Sequence, residues 1–303
     1  KEASAVQVVN FGCLNIDHVY AVEHFCRAGE TIHTGSYTQS VGGKGLNQSI
    51  AVARSGQPLF HAGALGAGGE QLEKTLTACG VDLRYLQHVA TPQGHAIIQV
   101  QPDGQNCIFL YGGSNQSIGP DEIDAVLSHF TAGDYLLLQN EISNLPYLLR
   151  AAAARGLRIV LNASPISEWL LEADLSCLDW LVVNEVECAA LAHCDDPDAG
   201  YAALRARYPG IGILLTLGKS GSVSWKDGEE IRQQAYPVHA VDTTGAGDTF
   251  MGYFVGCLAQ GMDRKDAMQY AAMASSIAVT RPGAAASIPE MPEVRAAVQA
   301  LRA

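Results

Sequence analysis

Basic residues are scarce: 19 Lys and Arg against 31 Asp and Glu leave a formal charge of −12 over 303 residues. That balance disfavours sequence-independent attraction to nucleic acid or to an anionic membrane surface, so neither is expected as a partner. No apolar run reaches the roughly 18–20 residues that a membrane helix needs; Gln260 and Arg150 interrupt the longest candidates. Cys-x-x-Cys pairs are also absent. The eight cysteines (Cys13, Cys26, Cys79, Cys107, Cys177, Cys188, Cys194 and Cys257) follow no repeated spacing. They signal neither a disulfide framework nor a zinc site, and reduced thiols in a cytoplasm fit them best. The stretch from Ala5 to Ile16 is broken too early for a secretory h-region, so no targeting segment is expected. Internal repeats, low-complexity tracts and linkers are missing as well, and a single large unit with an appendage is expected over residues 1–303.

What is present is an alternation of apolar runs and amphipathic stretches. Val6 to Phe11 leads into Gly12, Asn15 and Asp17, as a buried strand does when it ends at a ligand-facing edge. Tyr135 to Leu138, Leu157 to Leu161, Trp180 to Val183 and Ile213 to Leu217 follow, separated by helical patterns. This alternation predicts βαβ units and a parallel sheet covered on both faces. Ligands of such sheets sit beyond the strand C-termini, where Glu141, Asn162, Asn184 and Gly218 fall. The stretch from Tyr20 to Gln39, with Thr31 to Tyr37 partly alternating, predicts a small antiparallel sheet inserted after the first strand. His95 to Gln101, the Pro102-Asp103-Gly104 turn and Cys107 to Tyr111 read as a hairpin of the same kind. The two pieces together would form a lid.

Two glycine-rich stretches carry the chemistry. In Asp242-Thr243-Thr244-Gly245-Ala246-Gly247-Asp248-Thr249-Phe250, the glycines let backbone N–H groups converge at a helix N-terminus, which favours phosphate. Asp248, in the first helical turn, is a poor phosphate ligand but well placed to take a proton from a hydroxyl attacking that phosphate. The plainer reading is an N-cap Asp after a glycine turn. Phe250 stands where a dinucleotide fingerprint needs its third glycine, and Thr38 and Gly45 stand where a Walker loop needs Gly and Ser or Thr. In Gly42-Gly43-Lys44-Gly45-Leu46-Asn47-Gln48, adjacent glycines permit a polyol to approach the backbone, and Asn47 offers donors and acceptors to hydroxyls. Taken alone, Lys44 reads equally as a solvated surface lysine.

The pair of motifs resembles the two signatures of the ribokinase-like carbohydrate kinases. The resemblance runs over essentially the whole chain, through Gly29-Glu30-Thr31, Leu138-Gln139-Asn140-Glu141, Asn184-Glu185-Val186-Glu187, Thr216 to Gly221 and Ile277 to Ala284. It implies a three-layer α/β sandwich with a mostly parallel central sheet flanked by helices, plus a small β lid from about 13–42 and 94–113. It implies phosphoryl transfer from ATP to a primary hydroxyl of a small sugar, D-ribose first, with Mg2+ and activation by K+. Asp248 would be the base, and the N–H groups from Gly245, Ala246 and Gly247 to Asp248 the anion hole. Asn15, Asp17, Gly43, Lys44, Asn47 and Glu141 would line the sugar. Asn184, Thr216, Gly218, Lys219, Gly221 and Ala272 would hold the nucleotide. Glu187 would act on Mg2+ through water, and Asp242, Thr244, Ala278, Arg281, Gly283 and Ser287 would form a monovalent-cation loop. A homodimer formed lid to lid is the family's usual cover for the lid's outer face.

The chain departs from the family pattern in three places. Gly66-Ala67-Gly68-Gly69-Glu70 lacks an Asp common there, Asn162-Ala163-Ser164-Pro165 replaces Asn-Pro, and Leu14-Asn15-Ile16-Asp17-His18 carries bulky residues and an unusual His. His18, His24 and His33 read as polar lid residues, without the spacing of a metal site. These departures bear on the acceptor and keep two alternatives open: a kinase for a nucleoside or another neutral sugar, and a nucleotide-binding protein without catalysis.

Overall fold

Short apolar segments become strands because they are buried on both sides. Val8–Phe11 (β1) and Tyr135–Gln139 (β8) are buried at every position, the pattern of parallel strands sandwiched between helical layers. A computed structural model describes residues 5–301. The other strands are Asn15–Ala21 (β2), Ser36–Gly42 (β3), Phe60–Ala67 (β4), Asp82–Pro92 (β5), His95–Val100 (β6) and Asn106–Tyr111 (β7). After β8 come Arg158–Asn162 (β9), Trp180–Asn184 (β10), Gly212–Thr216 (β11), Ser222–Lys226 (β12) and Glu229–Gln233 (β13).

Nine strands form one sheet in the order β13-β12-β11-β10-β9-β8-β1-β4-β5. It is parallel from β11 to β5, and a β12–β13 hairpin adds an antiparallel edge that the helix-strand alternation did not predict. Alternate side chains feed two cores. Val8, Leu137, Val160, Val182 and Leu214 pack under helices Lys44–Arg54, Ala246–Ala259 and Arg264–Ala278. Val9, Leu136, Leu138, Leu161 and Val183 face the opposite layer, with helices Leu145–Ala154 and Pro197–Arg207. This is the period-two geometry of a strand applied across a whole sheet. Among the described residues no helix is long and apolar enough to cross a membrane.

The lid is a separate four-stranded sheet, β3-β2-β6-β7. Each piece is antiparallel as expected, β2 with β3 and β6 with β7, and the two pieces join through a parallel pair, β2 with β6, so the lid as a whole is mixed. The cause is topological. β2 continues from β1 and β6 from β5, and those two strands run the same way in the main sheet. Residues 22–35 contain no strand; the alternation read from Thr31 becomes one only at Ser36. Gln93 fixes the lid's base, donating to the Leu14 carbonyl at 2.5 Å and accepting from Gly66 N–H at 2.8 Å.

Two helices meet unusually closely at the site. A Cβ on Gly252 would lie 2.4 Å from the Ala51 Cβ and 2.8 Å from the Gln48 carbonyl, and one on Gly256 would lie 2.0 Å from the Ser55 hydroxyl. Glycine at these positions lets helix Ala246–Ala259 press on helix Lys44–Arg54, which brings the two sequence motifs together.

Candidate active site

Each motif opens its helix through a glycine with positive φ, 96° at Gly43 and 74° at Gly245. At Gly245 glycine is needed for space too, since a Cβ would lie 2.9 Å from that of Ala284. The turn places Asp248 in the first helical turn, 9% exposed. Asn47 Nδ2 donates to one carboxylate oxygen and Gln48 Nε2 to the other, each at 2.9 Å. Burial pushes the Asp248 carboxyl up, and these two amides, with Lys44 nearby, oppose it. The amide bonds favour the charged form, which a proton acceptor must keep. The Asn47 Oδ1 atom is buried with no partner, an acceptor left over for a hydroxyl donor. A Cβ on Gly247 would meet nothing within 4 Å, so there is open room over the helix N-terminus, where an anion is favoured.

Lys44 is no solvated lysine. Its Nζ lies 2.6 Å from Glu141 Oε1, and the Glu141 side chain is only 5% exposed. Burial works against the lysine's charge, yet Glu141 beside it holds its pKa above the ordinary range. Asn15 Nδ2 donates to the other Glu141 oxygen at 3.3 Å, and Asn115 Nδ2 donates to Asn15 Oδ1 at 2.8 Å. Asp17 is pushed up to about 6 by burial and by the Glu141 charge, with Lys44 acting the other way. Beside these residues lies a cavity of about 240 Å3 lined by Asn15, Leu110, Gly112, Asn115, Gln116, Asn140, Glu141 and Pro165. The sequence reading missed Asn115, Gln116 and Asn140. The polar run Gly112-Gly113-Ser114-Asn115-Gln116, directly after the lid hairpin, was the available signal.

The expected nucleotide residues sit along the C-terminal edges of β10 and β11. Asn184 and Glu187 form a reciprocal capping box: Asn184 Oδ1 accepts from Glu187 N–H and Glu187 Oε2 from Asn184 N–H, both at 2.9 Å. The plain helix-start reading therefore describes their geometry, although Glu187 is also a buried carboxylate. Gly218 and Lys219 are exposed in a short turn after Thr216. Gly221 has φ 94°, and a Cβ there would lie 2.1 Å from the Gln233 carbonyl. Ala272 lies apart from those edges, on the buried face of helix Arg264–Ala278.

Asp242 ties two loops: its carboxylate accepts from Thr244 N–H and Gly283 N–H, each at 2.9 Å. Partial burial raises its pKa, but these bonds outweigh that and hold the carboxyl below its usual range. Of the other loop residues, Arg281 turns its side chain to Glu293 and donates its backbone N–H to the Ala278 carbonyl, and Ser287 donates to the Ala284 carbonyl. Among the described residues no group of three or more His, Cys, Asp or Glu is arranged to hold a metal ion. His18 stacks on Tyr37 and His24 pairs with Glu30, as polar lid residues do.

Comparison with known proteins bears on the family and the fold. The model of the pfkB family of carbohydrate kinases matches residues 6–291. The chain is similar to a ribokinase of Staphylococcus aureus, 34% identical over 300 residues, covering 95% of this chain and 98% of that protein. Among solved structures, it is similar to a Cryptococcus neoformans ribokinase in complex with ADP (TM-score 0.86, 33% identity, 96% of this chain and 99% of the other). It is also similar to an Arabidopsis thaliana ribokinase complexed with ribose and ATP (TM-score 0.84, 30% identity, 97% and 99%).

Proposed function

Since the chain belongs to the pfkB family of carbohydrate kinases, we propose that it transfers the γ-phosphate of ATP to the primary hydroxyl of D-ribose. One observation carries this reading. The Asp248 carboxylate, held at a glycine-opened helix N-terminus, accepts from Asn47, and Lys44, one turn before Asn47 on the same helix, pairs with Glu141 beside Asn15 and Asn115. A polyol supplies the donors that these acceptors need. The Asn15, Asn115, Gln116, Asn140 and Glu141 side chains that line the cavity suit the hydroxyls of a sugar.

In this mechanism the sugar hydroxyl oxygen attacks the γ-phosphorus, the bond to the ADP oxygen breaks, and the hydroxyl proton passes to Asp248. The N–H groups from Gly245 to Asp248 face the charge that builds on the phosphoryl oxygens. Lys44 and Glu141, with Asn15 and Asp17, fix the acceptor, and closure of the lid excludes water. Mg2+ would neutralise phosphate charge. Both Glu187 oxygens already bond Asn184, so Glu187 fits a contact through water, with the nucleotide and solvent as the main ligands. K+ would be held at the loop of Asp242, Thr244, Ala278, Arg281, Gly283 and Ser287, mostly by backbone carbonyls. Thr216, Gly218, Lys219 and Gly221 would border the adenosine, with Asn184 toward the phosphates and Ala272 supporting from beneath.

The chain is read as one kinase domain with its lid at about 13–42 and 94–113. Eight free cysteines suit a reducing cytoplasm. The lid leaves Ile108 54% and Phe109 59% exposed, beside Leu110 and Tyr111. A second copy meeting it lid to lid would cover that surface. Light scattering of Phe109→Asp should then give the monomer mass where the unaltered chain gives the dimer; equal masses reject this interface. The activity is tested by ADP release with ATP, Mg2+ and K+ over pentoses, hexoses, nucleosides and fructose 6-phosphate. Turnover should be greatest with D-ribose. Asp248→Asn should lower it by a factor on the order of 10³ while ATP binding persists. Unchanged turnover in that variant excludes Asp248 as the base, and ATP binding without turnover on any acceptor favours a non-catalytic binder.

A further inference from the structure

Behind Asp248 lies a line of buried amides that the catalytic scheme does not use. Gln48 donates from Nε2 to Asp248 Oδ1 at 2.9 Å, which turns its own carbonyl oxygen inward. That oxygen accepts from Gln139 Nε2 at 2.7 Å, and the same nitrogen donates to Asn10 Oδ1 at 3.0 Å. Asn10 Nδ2 donates to the Gly45 carbonyl and to the Ser49 hydroxyl, both at 2.8 Å, and Ser49 meets His61 Nδ1 at 2.8 Å. Gln48, Gln139, Asn10, Ser49 and His61 are all fully buried. They come from three parallel strands (β1, β4 and β8) and from helix Lys44–Arg54.

The direction of these bonds is fixed at both ends. Asp248, when ionised, can only accept, so Gln48 must present its NH2 there and its carbonyl to Gln139. Gln139 must then present its NH2, which leaves its own Oε1 without a partner. At the far end Asn10 offers Gln139 an oxygen because its NH2 is committed to Gly45 and Ser49. Gln48 and Gln139 therefore each point a donor toward the carboxylate, while Asn10 accepts from Gln139 and donates away from it, and the buried bond from Gln139 to Gln48 polarises the one from Gln48 to Asp248. Apolar residues at 48 and 139 would strand two buried acceptors, Asp248 Oδ1 and Asn10 Oδ1, so the pair is needed while Asp248 stays ionised.

We propose that Gln48, oriented by Gln139, is a positioning residue for Asp248, holding its second carboxylate oxygen so that the first faces the acceptor hydroxyl as a ready proton acceptor. This rests on Asp248 being the base. Asn47 grips one carboxylate oxygen and Gln48 the other, so the carboxylate cannot rotate about its terminal bond without losing both. The charged groups facing the carboxylate are Lys44, which favours its ionised form, and Glu141, which disfavours it. Neither touches the oxygen that Gln48 holds among the hydrogen bonds formed.

The test is the pH profile of kcat for Gln48→Met, a variant of similar length that cannot donate. Loss of a donor to the ionised carboxylate raises the pH at which it takes a proton, so the acid limb should move upward. At neutral pH kcat should fall by about ten- to a hundredfold, within the range of general-base effects, with KM for sugar and ATP changed less than about threefold. Gln48→Glu keeps the shape, sets a second carboxyl against Asp248, and should move the limb further; it also serves if Gln48→Met does not fold. An acid limb that stays in place in the folded variant overturns the proposal, whatever happens to thermal stability. Asp248→Asn separates this outcome from failure of the functional reading: if that variant turns over normally, the base is wrong and Gln48 has nothing to position.

Discussion

The two ends of the proposed site, the one assigned to the acceptor and the one assigned to the nucleotide, are held by different kinds of atoms. At the acceptor end buried side chains bond to one another: Lys44 to Glu141, Asn15 to Glu141, Asn115 to Asn15. At the nucleotide end, the capping box of Asn184 and Glu187, the turn at Gly218 and the strand passage at Gly221 depend on main-chain atoms. Where side chains carry a site, single substitutions remove specific partners and leave charges stranded. Backbone-built sites respond weakly to most side-chain changes, because the donors and acceptors belong to every residue.

Lys44→Met should break that contrast most sharply. It leaves the buried Glu141 carboxylate without its cation, at a cost of about 1–3 kcal/mol; the partial exposure of Lys44 keeps the value from running higher. The KM for sugar should rise by about ten- to a hundredfold, while that for ATP stays within about threefold. Equal changes in both constants would show that the two ends are coupled and that the division drawn here is wrong.

A smaller effect is expected from Asn184→Ala. Loss of the cap should cost about 1 kcal/mol and lower the melting temperature by about 2 °C. Asn184→Ser, which can still cap, should restore it. If the residue serves only as a cap, KM for the Mg2+ nucleotide should follow stability and recover with Ser. A rise that Ser does not repair would assign Asn184 a direct part in holding phosphate, which sharpens a boundary the capping geometry alone leaves undrawn.

The same division explains what was legible in the sequence. Gly43 and Gly245 announce themselves because their positive φ and close neighbours demand glycine, and Lys44, Asn47 and Asp248 stand at fixed offsets from them. The strands β8 to β11 were readable within a residue or so from their apolar runs. The antiparallel β12–β13 edge was missed because its alternation is short and half polar: Glu229-Glu230-Ile231-Arg232-Gln233 reads as surface. The parallel pairing of β2 with β6 follows from chain paths through the main sheet, which local pattern does not encode. Asn10 and His61 were not legible at all. Each looks like an isolated polar residue in an apolar strand, and their shared partner Ser49 lies 39 residues from Asn10 and 12 from His61 in sequence.

The smallest expected effect concerns pH, and again compares two places. Asp17, at the partly exposed acceptor end, has a folded pKa of about 6, raised by burial and then by Glu141. His61, fully buried, is lowered to about 4 by burial, with the Gly12 backbone opposing. Between pH 4 and 6 the folded chain holds a proton on Asp17 that the unfolded chain has released, so this group makes stability fall as pH rises. His61 acts oppositely: the unfolded chain is protonated below about 6.5 while the folded imidazole is neutral, so stability falls as pH is lowered toward 4. The two slopes oppose each other in the ligand-free protein. Asp17→Asn should expose the His61 slope alone, and urea unfolding at pH 4.5 and 6.5 should show a steeper loss toward acid than in the unaltered chain. Parallel curves for the two proteins would mean that Asp17 titrates normally, and that the acceptor end holds its charge through solvent rather than through Lys44 and Glu141.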